Sequence, residues 1–227
     1  MSKQIKIFVI NLKNEFNRRA HVVNELKKLN LKFEFYFAKK GSELTKKEIA
    51  LYSKKESFKN EERDLSTDEI SCALSHIKLY KKIVKSKHKL SLILEDDVML
   101  SEDLLNIFKN LKKFPKNWEL INFYTDAKIK ITGPRIYKNY KCVQFNERAN
   151  RACSYLIKFK TAQKLLDYAL PIRYPADGLT GRNDLTKIIT YGLKPEVIHL
   201  EDFPTTIKDR NSLLGKYQLT SWIKKIF

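Results

Sequence analysis

Three adjacent carboxylates, Glu95, Asp96 and Asp97, directly follow an apolar run at 90–94. Neighbouring negative charges repel one another, so the cluster points to a purpose such as cation binding. Carboxylate oxygens suit Mg²⁺ or Mn²⁺, which keep several waters and bridge to phosphate groups. Because successive strand residues point to opposite faces, we predict that Glu95 and Asp97 share one side and that Asp96 faces the other. The spacing alone leaves open a solvated acidic turn.

An α/β fold is predicted to position this cluster, because apolar runs and helical patterns alternate along the chain. Open α/β sheets bind ligands at the carboxyl ends of their strands, which is where the acidic cluster falls. Strands are predicted at 5–12, 33–38, 90–94, 118–124, 152–159 and 195–200. Helices are predicted at 15–29, 66–86 (capping box Ser66 and Glu69), 101–113 (capped by Ser101), 161–169 and 184–191. A long loop that contains a short helix is predicted at 39–64, and a turn at Gly133 and Pro134.

The charge of the chain is strongly basic, with 45 Lys and Arg against 26 Asp and Glu and a net charge of +19. Such a charge favours an anionic surface or substrate, or serves solubility. Most of the basic residues are Lys, whereas proteins that read nucleic-acid sequence use Arg interleaved with aromatic residues. With 43% hydrophobic residues over 227 positions, the composition excludes disordered and low-complexity classes and predicts one domain over 1–210.

The cysteines and the C-terminus bear on where in the cell the protein is located. Cys72, Cys142 and Cys153 have no metal-ligand spacing among themselves, and their odd number favours a reducing, cytoplasmic environment. We predict no signal peptide and no membrane span. The segment 211–227 is predicted to form a basic amphipathic helix that lies on an anionic membrane surface, or alternatively packs on the protein core or a second subunit. Its apolar face consists of Leu219, Trp222, Ile223, Ile226 and Phe227.

Four segments, in order, resemble glycosyltransferase family 25, the bacterial lipopolysaccharide and lipooligosaccharide glycosyltransferases related to the collagen galactosyltransferases. They are VINLKNEFNRR (9–19), LSTDEISCALSHIKLYKKIV followed by LILEDDV (65–98), SYLIKFKTAQKLL (154–166) and YPADGL (174–179). The resemblance implies a GT-A-like nucleotide-binding sandwich with a mostly parallel central sheet. It also implies a bacterial, inverting, metal-dependent enzyme, which the basic C-terminal helix would hold on the inner face of the cytoplasmic membrane. That enzyme would move a sugar, galactose from UDP-galactose by preference, onto a lipid-linked oligosaccharide.

The resemblance also implies roles for individual residues. Asp97, with Glu95 or Asp96, would hold Mn²⁺ or Mg²⁺, and Asp177 would act as the base that accepts the acceptor's proton. The residues expected to bind the nucleotide sugar are Asn11, Arg18, Arg19, His76, Glu95 and Asp96. Asp184 and Glu147 are reserve bases, and His199 is a weaker candidate metal ligand with a structural role preferred. The open alternatives are a solvent-facing role for one arginine, a core role for His76 and a capping role for Asp177.

Two other functions compete with this hypothesis. A basic nucleic-acid-binding module would use the positive charge, but acidic residues at its site would repel phosphate, and no nucleic-acid partner is expected. A metal-dependent nucleotidyltransferase would share the acidic site and transfer a nucleotide instead of a sugar.

Overall fold

The computed structural model describes residues 5–145 and 148–207, with no side-chain description for Asn60. The predicted C-terminal helix at 211–227 and the reserve base Glu147 lie outside these residues. The strands are β1 Ile5–Leu12, β2 Glu34–Ala38, β3 Leu90–Glu95, β4 Val98–Leu100, β5 Leu120–Asn122, β6 Ile129–Tyr137, β7 Tyr140–Phe145, β8 Ser154–Lys158, β9 Thr190–Lys194 and β10 Ile198–Leu200. The α-helices are α1 Phe16–Lys28, α2 Lys46–Ile49, α3 Lys54–Glu61, α4 Thr67–Ser86, α5 Leu104–Lys109, α6 Phe159–Ala169, α7 Ala176–Gly181 and α8 Asn183–Thr186.

Within the described part of the chain, eight strands form one sheet in the order β2-β1-β3-β8-β5-β9-β7-β6. β8 and β7 run against the other six, so the sheet is mixed but has one dominant direction. The predicted α/β class with a mostly parallel central sheet is therefore confirmed. Strand β1 lies between β2 and β3 in the sheet, so the chain connects β1 to β2 on one side and later adds β3 on the other side. The carboxyl ends of β1 and β3 therefore form a topological switch point.

The two faces of β1 carry the two halves of the core. Ile7 and Val9 pack with Val22 and Leu26 of α1, while Phe8 on the opposite face packs with α4 and α6. A strand that is apolar on both faces is stable only between helical layers, since each face must be removed from water. This sandwich fixes the end of β1 against the end of β3.

Helix α4 begins where the sequence predicts. Ser66 Oγ accepts a hydrogen bond from the Glu69 N–H at 3.2 Å, and the Glu69 carboxylate accepts one from the Ser66 N–H at 2.9 Å. This reciprocal capping box satisfies two backbone donors that a helix start leaves without partners. The predicted strands at 5–12 and 90–94 and the helix at 161–169 are likewise present as β1, β3 and α6, with small changes at their ends.

Three local predictions were wrong. The helix predicted from Ser101 begins at Leu104, because the chain before it forms β4 and the Ser101 N–H donates to Val197 O beside β10. The turn predicted at Gly133 and Pro134 lies inside β6, and the hairpin instead turns between β6 and β7. The helix predicted at 184–191 ends at Thr186, after which the chain forms β9.

No helix within residues 5–145 and 148–207 combines the length and the apolar character needed to cross a membrane.

Candidate active site

The candidate site lies at the switch point of the sheet, where β1 and β3 end and β8 begins. A cavity of about 230 Å³ opens there, with Arg18, Glu95, Asp97 and Asp177 in its wall. A smaller cavity of about 90 Å³ adjoins it and shares Arg18 and Glu95. Glu95 and Asp97 both line the larger cavity, whereas Asp96 lines only the smaller one, which Glu95 also lines. Because β3 ends at Glu95 and a turn follows, strand alternation does not extend to Asp96 and Asp97.

Arg18 joins the carboxylates of Asp96 and Asp97. Its Nε donates to Asp96 Oδ1 and its Nη2 to Asp97 Oδ2, each at 2.7 Å. The ring of Phe203 lies over the guanidinium, with 5.2 Å between its centroid and Cζ. Because Asp96 and Asp97 form a turn after β3, one planar fork reaches both of them. The third nitrogen, Nη1, is buried and has no hydrogen-bond partner among the described residues.

Asp96 has both carboxylate oxygens in use. Asn11 Nδ2 donates to Oδ2 at 2.7 Å, and Arg18 occupies Oδ1. Asn11 itself is buried at the end of β1, and it lines the smaller cavity together with Asp96. Burial raises the pKa of Asp96, while Arg18 and Asn11 act in the opposite direction. Asp96 therefore ties the end of β1 and the start of α1 to the end of β3.

Asp97 keeps one oxygen available. Oδ2 accepts from Arg18, while Oδ1 is buried without a hydrogen-bond partner in the described structure. Burial raises the pKa of Asp97 to about 6, and the neighbouring Glu95 carboxylate adds to the rise. A cation beside Oδ1 would favour the charged form of this carboxyl. Asp97 and Glu95 thus present hard oxygen atoms to one cavity, which fits Mg²⁺ or Mn²⁺.

His76 lies behind the wall of the cavity, with 1% of its surface exposed, and lines neither of the two cavities. Its Nδ1 is 2.7 Å from Tyr155 Oη, and its Nε2 is 3.6 Å from Glu95 Oε1. Cys72, one turn earlier on α4, places Sγ 4.0 Å from the same Glu95 oxygen. A nucleotide sugar in either cavity would therefore meet Cys72 and Glu95 before His76.

Asp177 faces the larger cavity from the first turn of α7. Its Oδ2 accepts the Arg151 N–H at 3.2 Å, and its Oδ1 is buried with no hydrogen-bond partner among the described residues. Gly178 lets this turn pack closely, since a Cβ there would lie 2.7 Å from Tyr174 Cβ. Asp177 is thus held through one oxygen, while its other oxygen has no hydrogen-bond partner in the described structure.

The remaining predicted residues lie outside the two cavities. Arg19 is half-buried, donates to Lys13 O at 2.6 Å and lies over the rings of Phe16 and Phe37. Asp184 is exposed and paired with Arg182, and His199 is exposed on β10. The structure therefore brings together Asn11, Arg18, Glu95, Asp96, Asp97 and Asp177, and separates Arg19, Asp184 and His199 from them.

Sequence comparison places the chain in a family. The profile of "Glycosyltransferase family 25 (LPS biosynthesis protein)" matches residues 4–180, well over half of the chain. The chain belongs to glycosyltransferase family 25. The match spans the acidic cluster, Arg18 and Asp177, so the predicted resemblance is confirmed.

Individual relatives are distant. The chain is 27% identical over 168 residues to the lipooligosaccharide biosynthesis protein lic2B of Haemophilus influenzae, covering 70% of this chain and 61% of the relative. It is 24% identical over 172 residues to human procollagen galactosyltransferase 2, covering 71% of this chain and 27% of that protein. The chain therefore spans less than two thirds of either relative. A crystal structure of a glycosyltransferase involved in glycosylation of the major capsid of PBCV-1 has a TM-score of 0.48 and 10% identity, covering 88% of this chain and 94% of that one.

Three residues at this candidate site were missed by sequence reasoning. Arg151 adopts a left-handed backbone conformation (φ 71°), its N–H holds Asp177, and its Nε donates to Asp126 at 2.7 Å. Phe203 reaches Arg18 from a segment without regular secondary structure, and nothing local in the sequence marks it. Cys72 could have been found, because its spacing of four residues from His76 puts both on one face of α4.

Proposed function

We propose that this family 25 chain is an inverting, metal-dependent glycosyltransferase that uses a nucleotide-sugar donor. One observation carries the proposal. Among the described residues, eight buried side-chain polar atoms have no hydrogen-bond partner, and four of them belong to cavity-lining residues at the switch point: Asn11 Oδ1, Arg18 Nη1, Asp97 Oδ1 and Asp177 Oδ1. Buried polar atoms without partners are costly, so their convergence indicates a polar ligand that satisfies them.

The donor end of the site suits a diphosphate. Arg18 Nη1 is a charged donor without a partner in the described structure, and it is held in place by the two carboxylates that its other nitrogens contact. We assign it to a phosphate oxygen of the donor. Asp97 Oδ1, with Glu95, would hold Mn²⁺ or Mg²⁺. Such a cation, when bound, neutralises the diphosphate and stabilises the charge on the departing nucleotide.

The acceptor end centres on Asp177. Inversion requires one displacement at the anomeric carbon, and the attacking hydroxyl must lose its proton as the bond forms. Asp177 lines the cavity from α7, and its Oδ1 is a carboxylate oxygen without a hydrogen-bond partner in the described structure. Its other oxygen accepts from the Arg151 N–H, a contact that limits rotation of the carboxylate and would leave Oδ1 to take the proton of the acceptor hydroxyl.

We propose a lipopolysaccharide or lipooligosaccharide acceptor, with galactose from UDP-galactose as the first donor to examine. The support is the family description and the names of the relatives. An acceptor anchored in lipid also suits the positive charge of the chain, because an anionic membrane attracts basic proteins to the face where such acceptors are extended. The proposed location is accordingly peripheral, on the inner face of the cytoplasmic membrane.

Calorimetric titration of UDP, with and without Mn²⁺, tests the donor site. The wild type should bind UDP strongly only when Mn²⁺ is present, and Asp97→Asn should lose that metal-dependent component. Asp103→Asn, at the start of α5, is the matched control and should behave like the wild type. Absence of UDP binding to a folded wild type under both conditions would contradict the proposal.

Product analysis then separates the alternatives. Incubation with UDP-galactose, UDP-glucose or a UDP-N-acetylhexosamine and a lipooligosaccharide acceptor should release UDP and add one hexose to the acceptor. Release of pyrophosphate from a nucleoside triphosphate, with a sugar phosphate as co-substrate, would instead indicate a nucleotidyltransferase.

A further inference from the structure

A second cluster of potential metal ligands lies behind the donor cavity. Cys72 and His76 of α4 and Glu95 of β3 bring Sγ, Nε2 and a carboxylate oxygen within 4.8 Å of one another. Glu95 Oε1 is 3.6 Å from His76 Nε2 and 4.0 Å from Cys72 Sγ. The group combines a thiol, an imidazole and a carboxylate, whereas Asp97 presents only oxygen.

His76 is oriented toward this cluster. Its side chain is 1% exposed, and its Nε2 is buried without a hydrogen-bond partner in the described structure. The 3.6 Å separation from Glu95 Oε1 is too long for a hydrogen bond. On the other side of the ring, Nδ1 lies 2.7 Å from Tyr155 Oη, which is itself 2.8 Å from Tyr80 Oη. With Nδ1–H donating to Tyr155, the lone pair of Nε2 points at Cys72 and Glu95, as in histidines that ligate metals.

We propose that Cys72, His76 and Glu95 form a binding site for a divalent transition metal of the Zn²⁺ type. Thiolate, imidazole and carboxylate are the common protein ligands of zinc, and their usual bond lengths in a tetrahedron place ligand atoms about 3.4–3.6 Å apart. The two separations from Glu95 Oε1, 3.6 Å to His76 and 4.0 Å to Cys72, are close to these values, and the Cys72 and His76 ligand atoms lie within 4.8 Å of each other, so metal binding draws the three side chains together. Because Cys72 and Glu95 also line the larger cavity, the fourth position of the metal faces that cavity.

This site differs in chemistry from the donor cation site. A thiolate and an imidazole select a transition metal over Mg²⁺, which prefers oxygen. Zinc bound to Glu95 Oε1 ties α4 to the end of β3, and it leaves Asp97 as the principal ligand for the donor's cation. Ligation displaces the thiol proton of Cys72 to solvent, so zinc affinity rises with pH as in other thiolate sites. The inference stands without the proposed function, because it rests on this cluster alone.

Cobalt spectroscopy tests the site directly. The full chain, freed of metal with a chelator and kept reduced by a reagent without thiols, is titrated with Co²⁺. We expect a thiolate-to-cobalt charge-transfer absorption that saturates at about one Co²⁺ per chain and disappears on addition of Zn²⁺. Cys72→Ser should abolish this absorption. Cys153→Ser should keep it, although Cys153 is a buried cysteine that lines the same cavity.

Two further measurements keep the proposal falsifiable if a variant folds poorly. His76→Gln should lower Zn²⁺ affinity at least about tenfold in competition with a chromophoric chelator. Zn²⁺ should also raise the Tm of the wild type and leave that of folded Cys72→Ser unchanged. A folded wild type without cobalt absorption, or absorption that persists in Cys72→Ser, would overturn the assignment. Neither outcome bears on UDP binding with Mn²⁺, which is read separately by calorimetry.

Discussion

At the scale of single residues, the three carboxylates of the acidic cluster differ in the groups that they contact. Asp96 accepts hydrogen bonds from Asn11 and Arg18 with its two oxygens, and it therefore connects β1 and α1 to the end of β3. Asp97 shares Arg18 but keeps one buried oxygen without a hydrogen-bond partner in the described structure, and Glu95 Oε1 lies 3.6 Å from His76 Nε2 on α4. Arg18 offsets the charges of Asp96 and Asp97 together, whereas the Glu95 carboxylate adds to the raised pKa of Asp97.

Asp177→Asn should separate binding from chemistry. The amide keeps the shape of the side chain but cannot accept a proton, so kcat for sugar transfer should fall by about 10²–10⁴-fold while the Kd for UDP with Mn²⁺ changes little. Initial rates of UDP release with acceptor present, together with calorimetry, measure both. Asp184→Asn, exposed and paired with Arg182, is the control and should retain activity. The opposite pattern would move the base to Asp184.

Arg18→Lys should damage the site although it conserves charge. One ammonium cannot replace the two nitrogens that contact Asp96 and Asp97, so a hydrogen bond to a buried carboxylate is lost, at a cost of about 1.5–3 kcal/mol in the free energy of unfolding. Urea denaturation gives that change, and UDP titration should show weaker binding. Arg19→Lys, outside both cavities, should alter neither quantity. Equal effects of the two substitutions would rule out the special role of Arg18.

At the scale of elements, the local sequence pattern predicted the buried strands and the capped helices well. It failed where pairing between distant segments decides the structure. The apolar run of β1 and the capping box of α4 carry their signals within a few residues. Pro134 does not break β6, because β6 is an exposed edge strand with register irregularities that tolerate a missing N–H. Strand β4 exists only through its pairing with β10, about one hundred residues later, which no local signal reports.

The candidate site shows the same division between what the local sequence predicts and what distant contacts decide. Glu95 and Asp97 come from one segment and Asp177 from another, the residue types in both segments were informative, and the family resemblance supplied their order. Their common cavity depends on the placement of β1, β3, β8 and α7 around one sheet edge, as does the approach of Cys72 to Glu95. Arg151 had no signal at all, since its left-handed backbone follows from the turn into β8.

Glu48 tethers the stretch at 39–64 to α4 and should make stability depend on pH. It accepts from Lys78 Nζ at 2.6 Å, Thr45 N at 3.0 Å and Lys39 Nζ at 2.9 Å, and these contacts hold its pKa below the ordinary value of 4.5. A carboxylate with a lowered pKa stabilises the fold above that ordinary value, and the contribution is lost as the pH falls below it.

Urea denaturation of wild type and Glu48→Gln over about pH 7 to 3 measures this contribution. The wild type should be more stable at neutral pH, and the difference should shrink as the solution becomes acid. Glu102→Gln, an exposed glutamate before α5, provides the control and should show no such trend. A difference that stays constant with pH would show that Glu48 acts through packing rather than charge.

At the scale of the whole molecule, the net charge of +19 contrasts with the acidic residues gathered at one sheet edge. The acids are compensated locally by Arg18, so the excess of Lys is left to act on the surroundings. Each Lys or Arg near an anionic membrane contributes about 1 kcal/mol of attraction, and salt screens that attraction. Charge and the apolar residues of 211–227 therefore predict reversible binding to anionic lipid.

Vesicle sedimentation of the full chain tests that prediction. The wild type should sediment with vesicles rich in phosphatidylglycerol and remain in solution with pure phosphatidylcholine, because the positive charge selects anionic lipid. High salt should release only part of the bound protein, because the apolar face supplies the part of the binding energy that salt does not screen. Trp222→Ser combined with Ile226→Ser removes much of that face and should weaken binding strongly, while Gln218→Ser, off the face, should not. If the double variant instead loses stability or changes its oligomeric state without losing lipid binding, the apolar face packs on protein, and the positive charge alone brings the enzyme to the membrane.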